Sequence, residues 1–169
     1  MSSQAKLIVF CGKMAAGKST LSRALAEREQ AVLLVQDEWL SHLFPGEILG
    51  VPDYVRCSAR LNAALTPLIV SLLSRGTSVV LDFPGNTTKQ RAWFRQLFEA
   101  AAVEHELHFI DASDDVCKRQ LRERSAGLPA GTPWTTEVEF DAITAYFQPP
   151  TADERFNVIR HERGWTGIQ

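Results

Sequence analysis

Short apolar runs alternate along this chain with longer segments in which apolar residues recur at helical spacing. Five of the runs lack the strict alternation of half-exposed strands, a pattern typical of parallel strands buried on both faces. These predicted strands are residues 7–11, 31–35, 78–81, 107–110 and 156–160. The intervening segments predict helices at residues 20–29, 53–75, 88–103, 114–125 and 135–147. Pro67 is expected to interrupt the second helix. Strands that alternate with helices predict an α/β fold, with helices on both faces of a parallel sheet.

A glycine-containing segment follows the first predicted strand. Residues 12–19 read G-K-M-A-A-G-K-S, a complete G-x-x-x-x-G-K-[ST] phosphate-binding pattern between a strand and a helix. Gly12 and Gly17 are expected to let the backbone bend until its N–H groups face a phosphate, and the start of the next helix favours the same anion. Lys18 would reach the β- and γ-phosphates, and the Ser19 hydroxyl would bind Mg²⁺. The alternative is a chance glycine-rich turn. The pattern predicts that ATP binds through Gly12, Lys13, Met14, Ala15, Ala16, Gly17, Lys18, Ser19 and Thr20.

Two aspartates follow predicted strands, at the sheet edge where ligands gather in folds of this class. Asp82 stands where a Walker B aspartate holds Mg²⁺ directly or through a water. The alternative for Asp82 is a cap for a turn or helix near Thr87. Asp37 is the candidate general base, which would take the proton of an acceptor hydroxyl or orient that hydroxyl. It can also cap a helix that begins at Glu38, and the two roles are compatible.

Composition and charge narrow the classes of protein. The chain has 169 residues, the length of one compact domain, so we expect residues 1–169 to form a single domain. Its net charge of −2, from 18 basic and 20 acidic residues, gives no overall basic excess for nucleic acid, although a local basic groove stays open. Cys11, Cys57 and Cys117 have no metal-binding or redox spacing, which favours reduced thiols in a cytoplasmic protein. No run approaches the ~20 apolar residues of a membrane helix, so no membrane contact is expected.

The segment after the third predicted strand carries the first part of a family resemblance. Residues 81–87 read L-D-F-P-G-N-T, which is similar to the segment of adenylate-kinase-like enzymes that carries D-G-F-P-R. Gly85 stands where those enzymes have a nucleotide-binding arginine. This difference argues against a nucleoside monophosphate as the phosphate acceptor.

Further motifs extend the resemblance over nearly the whole chain. An arginine-rich stretch at residues 119–124 precedes a Gly/Pro-rich stretch at residues 127–133. Short motifs follow at residues 139–141, 146–147, 149–150 and 154–157. This layout resembles the zeta-toxin-like, polynucleotide-kinase-like and chloramphenicol-phosphotransferase-like P-loop kinases, often grouped as AAA-type ATP-binding proteins. The resemblance implies an adenylate-kinase-like, three-layer α/β/α P-loop NTPase fold. It also implies a five-stranded parallel sheet in the order 2-3-1-4-5 and a helical lid near residues 114–134.

Arginines of the expected lid have a defined task in such kinases. Arg119 and Arg124 would stabilise the charge that spreads over the γ-phosphoryl oxygens during transfer. Arg119 and Arg122 are three residues apart and share a helix face, while Arg124 best matches the second arginine of the family's lid. The alternative is a solvated basic face. The Gly/Pro-rich stretch is expected to be a mobile connection that lets the lid close over ATP.

Together these motifs predict a Mg²⁺-dependent kinase that moves the γ-phosphate of ATP to a hydroxyl of a small molecule or a nucleic-acid 5′ end. Residues 39–60 are the least family-like and are expected to shape the acceptor pocket. Two alternatives stay open: a nucleotide-binding ATPase or switch without an acceptor, and a toxin-type kinase with an antitoxin protein as partner. The predicted catalytic residues are Lys18, Asp37, Arg119 and Arg124, and the predicted metal ligands are Ser19 and Asp82.

Overall fold

A computed structural model describes residues 4–127 and 136–162 of the chain. The strands of this part are β1 (Lys6–Gly12), β2 (Val32–Val35), β3 (Val79–Asp82), β4 (Glu104–Asp111) and β5 (Val158–Glu162). They form one sheet in the order β2-β3-β1-β4-β5, and every neighbouring pair is parallel. The five predicted strands are therefore confirmed, and so is the sheet order that the family resemblance implied.

Helices connect the strands. They are α1 (Lys18–Glu29), α2 (Gln36–Leu43), α3 (Val51–Ser74), α4 (Thr88–Ala101), α5 (Asp114–Ala126) and α6 (Glu137–Thr144), with a 3₁₀ turn at Ala152–Glu154. The predicted helices do not include α2, although the alternative for Asp37 has a helix begin at Glu38, two residues after the observed start of α2. Helix α3 continues through Pro67, so the interruption expected there is wrong. Residues 128–134 of the expected lid connection lie outside the described residues.

Two apolar cores cover the two faces of the sheet. Leu7, Val9 and Cys11 of β1 belong to the core that β1 shares with α3 and α4. Ile8 and Phe10 point to the opposite face, into the core shared with α1, α5 and α6. This alternation follows from the two-residue period of a strand. It confirms the three-layer α/β/α arrangement.

Helix α3 packs on the sheet with one stripe of its surface. Its buried residues recur every three or four positions, as a helix with one core-facing side requires: Cys57, Leu61, Leu65, Ile69 and Leu73. By length and composition alone, this helix is also apolar enough to cross a membrane, whereas no such stretch was expected from the sequence. Only 28% of the apolar window of α3 is buried in the described structure, so the stripe on the sheet accounts for part of its apolar character.

Strand register sets where the carboxyl ends of the strands meet. Val35 at the end of β2 pairs with Asp82 at the end of β3, and Gly12 at the end of β1 pairs with Ile110 of β4. Asp37 lies two residues after Val35, within the first turn of α2. The phosphate-binding pattern, Asp82 and the Asp37 segment therefore begin at one edge of the sheet.

Candidate active site

The loop between β1 and α1 bends through two left-handed residues. The φ angle is 62° at Ala15 and 107° at Gly17, and the Ala16 amide donates to the Lys13 carbonyl at 3.0 Å. A left-handed conformation costs a non-glycine residue roughly 1–2 kcal/mol, so the surrounding structure holds Ala15 there. Gly12 has another role than the expected bend, because a Cβ on it would lie 3.4 Å from the Cβ of Ile110. The bend is thus made by Ala15 and Gly17, and Gly12 permits close packing on β4.

The lysine of the loop and the aspartate of β3 face each other. Lys18 Nζ lies 3.6 Å from Asp82 Oδ1, and the Asp82 side chain is only 6% exposed. Ser22 Oγ lies 3.4 Å from Asp82 Oδ2 and 3.0 Å from the Ser19 carbonyl, so the hydroxyl has two alternative acceptors. Thr87 caps α4 with its own hydroxyl, and the interpretation of Asp82 as that cap is therefore wrong. A buried carboxylate and a cation thus meet where the phosphate loop ends.

The oxygen atoms at this point suit a magnesium ion. Ser19 is exposed in the first turn of α1, and Asp82 contributes a carboxylate. Carboxylate, hydroxyl, water and phosphate oxygens are the ligands that Mg²⁺ prefers. Within residues 4–127 and 136–162, no three His, Cys, Asp or Glu side chains form a cluster that could hold a metal on their own. The donor set therefore fits a Mg²⁺ ion that also needs nucleotide phosphates and water.

Asn86 joins the loop after β3 to the phosphate loop. Its Oδ1 accepts a hydrogen bond from the Gly12 amide at 2.9 Å, at the first residue of the phosphate-binding pattern. The Asn86 amide donates to Gln90 Oε1 at 2.8 Å, and its carbonyl accepts from the Gln148 amide at 2.8 Å. Asn86 lay within the segment compared with adenylate kinases, but no pattern assigned it this contact. It fixes the first residue of the phosphate loop relative to the Asp82 segment.

A fully buried arginine also binds the loop after β3. The Arg91 side chain is 0% exposed, with Nε 2.8 Å from Glu154 Oε1 and Nη2 3.1 Å from Glu154 Oε2. Its Nη1 donates to the Gly85 carbonyl at 2.8 Å. Gly85 in turn lies so close to β1 that a Cβ would be 2.2 Å from the Phe10 carbonyl oxygen. Position 85 therefore has no room for an arginine side chain, and the loop offers no cation to a substrate there.

Asp37 is exposed on the first turn of α2. The helix is capped at Val35, so the interpretation of Asp37 as its N-cap is wrong. Beside it, the Tyr54 hydroxyl donates to the Oε1 of buried Gln36 at 2.6 Å. Burial, followed by the negative charge of Asp37, raises the pKa of Tyr54 to about 12. Among the described residues Asp37 makes no ion pair, so its carboxylate is available to solvent, and its role as a base stays a prediction.

The arginines expected in the lid have different surroundings. Arg119 and Arg124 are exposed, and neither makes an ion pair with another described residue. Arg122 Nη1 lies 3.3 Å from Glu137 Oε1 and joins α5 to α6. With 3.6 residues per turn, Arg119 and Arg124 lie about 140° apart, and Arg124 lies about 20° from the buried Cys117. The two arginines therefore lie on different faces of α5, and their action on a phosphate stays a prediction.

Lys13 connects the phosphate loop to the base of the expected lid. Its Nζ lies 2.8 Å from Asp114 Oδ1, in the first turn of α5, and 5.5 Å from the centre of the Phe147 ring. Nothing in the sequence pattern distinguished Lys13 from the variable positions of the loop. The contact makes the position of α5 depend directly on the conformation of the phosphate loop.

A strand, a left-handed loop, a helix and the Lys18–Asp82 pair define a P-loop nucleotide-binding protein, and the sheet order is that of the P-loop kinases. Residues 7–150 match the profile of a family described as AAA domain, so the chain belongs to that family. The resemblance to P-loop kinases is confirmed at the level of family and fold. No curated protein matches the chain.

Solved structures share this fold. A presumed kinase from Chloroflexus aurantiacus J-10-fl is similar with a TM-score of 0.70 at 20% identity, over 95% of this chain and 89% of that one. APS kinase from Mycobacterium tuberculosis, in complex with AMPPNP and APS, has a TM-score of 0.63 at 18% identity, over 96% and 91%. A gluconokinase from Sinorhizobium meliloti 1021 has a TM-score of 0.61 at 15% identity, over 96% and 85%. At these identities the likeness establishes the fold and leaves the acceptor open.

Proposed function

We propose that residues 1–169 act as one Mg²⁺-dependent kinase domain, which transfers the γ-phosphate of ATP to a hydroxyl of a small molecule or a nucleic-acid 5′ end. The observation that carries this proposal is the meeting of Lys18 and Asp82 at the end of the phosphate loop. The buried thiols of the chain are in keeping with a cytoplasmic location.

Each part of the loop has a role in nucleotide binding. The backbone amides of residues 12–20 surround the phosphates, and Lys18 neutralises the β- and γ-phosphates. Ser19 and Asp82 hold Mg²⁺, which supplies positive charge to the phosphate oxygens. With ATP bound, Lys18 would pair with the phosphates instead of Asp82, which lies 3.6 Å away, and the Asp82 carboxylate would be available to hold the metal ion.

Asp37 and the lid arginines act on the transfer itself. The Asp37 carboxylate takes the proton of the acceptor hydroxyl. The hydroxyl oxygen of the acceptor then bonds to the γ-phosphorus, and ADP leaves. Arg124 and Arg119 of α5 stabilise the negative charge on the transferring group. Closure of the lid over ATP excludes water, which would otherwise compete with the acceptor.

Calorimetric ATP titration tests the phosphate site. Lys18→Ala is expected to remove most of the ATP affinity in the presence of Mg²⁺ and to leave the fold intact. Lys89→Ala, an exposed lysine on the first turn of α4, is the matched control and should bind ATP like the original chain. Equal affinity in the Lys18→Ala and original proteins would reject the phosphate-loop assignment.

Phosphate transfer to a panel of hydroxyl compounds tests the base. Asp37→Asn is expected to leave ATP binding nearly unchanged and to lower transfer by ~10²–10⁴-fold, the usual range for a general base. Glu38→Gln, the adjacent carboxylate, is the control. Full transfer activity in Asp37→Asn would remove Asp37 from the chemistry. ATP hydrolysis that no acceptor stimulates would favour an ATPase or switch instead.

Kinetics of lid variants test the arginines. Arg124→Ala is expected to lower turnover more than ATP affinity, because charge stabilisation matters most in the transition state. Arg122→Ala, which loses only the pair with Glu137, should change turnover little. We also expect hydrogen exchange at residues 125–134 to slow with an ATP analogue and Mg²⁺. Unchanged exchange together with full activity of Arg124→Ala would leave α5 without a part in closure.

A further inference from the structure

We infer that the acceptor is an uncharged or cationic hydroxyl compound with an apolar portion, and that phosphorylated acceptors are excluded by charge. The inference rests on the proposed kinase function and narrows its acceptor. It concerns the acceptor side of the site, which we define as Asp37 and Glu38 of α2 with Val51, Tyr54 and Val55 of α3.

Carboxylates dominate the charge of the acceptor side. Asp37 and Glu38 are both exposed in the first turn of α2, directly after the end of β2. Within the described part of the chain, neither makes an ion pair with a lysine or arginine. Their charge reaches α3, because Asp37 adds to the burial that raises the pKa of Tyr54 to about 12. A compound that approaches Asp37 therefore meets uncompensated negative charge.

The cations of α3 point elsewhere. With 3.6 residues per turn, Arg56 lies about 160° and Arg60 about 120° around the helix from Tyr54. Arg56 is also paired, with Nη1 3.0 Å from Asp53 Oδ1. The loop after β3 contributes no cation at Gly85, where no side chain fits. Within the described residues, α3 and position 85 thus place no cation on the Tyr54 side of α3 to hold a nucleic-acid or substrate phosphate.

Apolar side chains complete the acceptor side. Val51 and Val55 are 65% and 55% exposed, and Leu49, just before α3, is 86% exposed. On the helix, Val51 and Val55 lie about 60° and 100° from Tyr54, on the side opposite to Arg60. The charge of Asp37 acts on Tyr54, and Val51 and Val55 lie within one turn of Tyr54, so these exposed apolar side chains favour a ligand that has an apolar part. The carboxylates repel a phosphorylated acceptor, and the apolar side chains favour an acceptor with an apolar portion. Together they discriminate between these classes of acceptor.

Cysteine labelling measures the charge of this surface without any knowledge of the acceptor. Val55→Cys places a thiol on the acceptor side, and Ala64→Cys places one on the face of α3 that carries Arg60. The native cysteines Cys11, Cys57 and Cys117 are buried and form a low background, which the original chain measures directly. Each variant reacts with a cationic trimethylammonium and an anionic sulfonate methanethiosulfonate reagent at low salt.

The ratio of the two labelling rates decides the charge. We expect the cationic-to-anionic ratio to be at least about fivefold larger at position 55 than at position 64, since surface potentials reach several kT, and we expect the difference to shrink in high salt. An equal or smaller ratio at position 55 would overturn the inference. The comparison between positions cancels the intrinsic reactivity of the reagents.

Transfer of ³²P from γ-labelled ATP tests the acceptor itself. Thymidine and thymidine 3′-monophosphate offer the same 5′-hydroxyl without and with charge, and octyl glucoside offers sugar hydroxyls beside an apolar chain. We expect kcat/KM for the uncharged compounds to exceed that for the monophosphate and for a 5′-hydroxyl oligonucleotide at least tenfold. Preference for either anionic compound would overturn the inference while leaving a kinase. If ATP neither binds nor turns over, the proposed function fails, and the labelling ratio alone decides the charge.

Discussion

Removal of the Glu154 carboxylate is expected to destabilise the protein strongly. Glu154→Ala leaves the guanidinium of Arg91, which is 0% exposed, with uncharged partners: the Gly85 and Pro149 carbonyls and the Cys11 sulfur. Breaking one side of a buried ion pair costs about 3–5 kcal/mol. The Glu154 side chain is 16% exposed, so water can partly replace it and the low end, about 3 kcal/mol, applies. For a chain of this length that corresponds to a fall in Tm of roughly 6–12 °C.

Thermal unfolding followed by circular dichroism or calorimetry measures this loss. Glu99→Ala is the matched control, since Glu99 is 61% exposed and pairs with Arg95 on the surface of the same helix α4. Exposed pairs contribute about 0.2–1 kcal/mol, so the control should change Tm by no more than about 4 °C. The double variant Arg91→Met with Glu154→Ala should recover part of the loss, because no unpaired charge remains buried. A Tm for Glu154→Ala within 2 °C of the control would refute the reasoning.

Two further outcomes follow from contacts described above, and a third from His108 on β4 and His161 on β5, whose Nδ1 and Nε2 atoms lie 2.9 Å apart. Asn86→Ala leaves the buried Gly12 amide without its acceptor, so we expect a loss of about 1–3 kcal/mol in denaturant unfolding and weaker ATP binding by calorimetry. Gly85→Ala forces a Cβ against the Phe10 carbonyl and should reduce Tm or soluble yield; a variant as stable as the original chain would contradict the described packing. Burial lowers the pKa of His108 and of His161, so the unfolded chain binds more protons below the ordinary histidine pKa of about 6.5. The free energy of unfolding should therefore fall as pH drops from 7 to 5, and His108→Gln should flatten that slope in urea titrations.

Much of the fold could be predicted from local patterns. A sheet covered on both faces has no solvated side, so each of its strands is a continuous apolar run, as at residues 78–81. Each strand can therefore be predicted from its own sequence. The phosphate-binding pattern likewise locates Lys18 from spacing alone. Sheet order does not follow from the runs, and it was available only through the resemblance to P-loop kinases.

The contacts that hold the site together were harder to predict from the sequence, because they join distant parts of the chain. Arg91 lies on an amphipathic helix, where a charged residue is expected at the surface, and only Glu154, 63 residues later, makes its burial possible. The start of α2 at Gln36, two residues before the helix considered at Glu38, was missed for a similar reason, since buried Gln36 is bonded to Tyr54, 18 residues away. Ala15 carries a left-handed angle that composition would assign to glycine.

The Arg91–Glu154 pair also bears on the order in which a ribosome supplies the parts of this protein. The phosphate loop emerges well before Glu154, the residue to which the loop that braces it is anchored. A nascent chain that has emerged only as far as residue 148 carries Arg91 without its carboxylate, so burying that guanidinium would be costly. We therefore expect the loop after β3 to take its final packing only once Glu154, shortly before β5, has emerged.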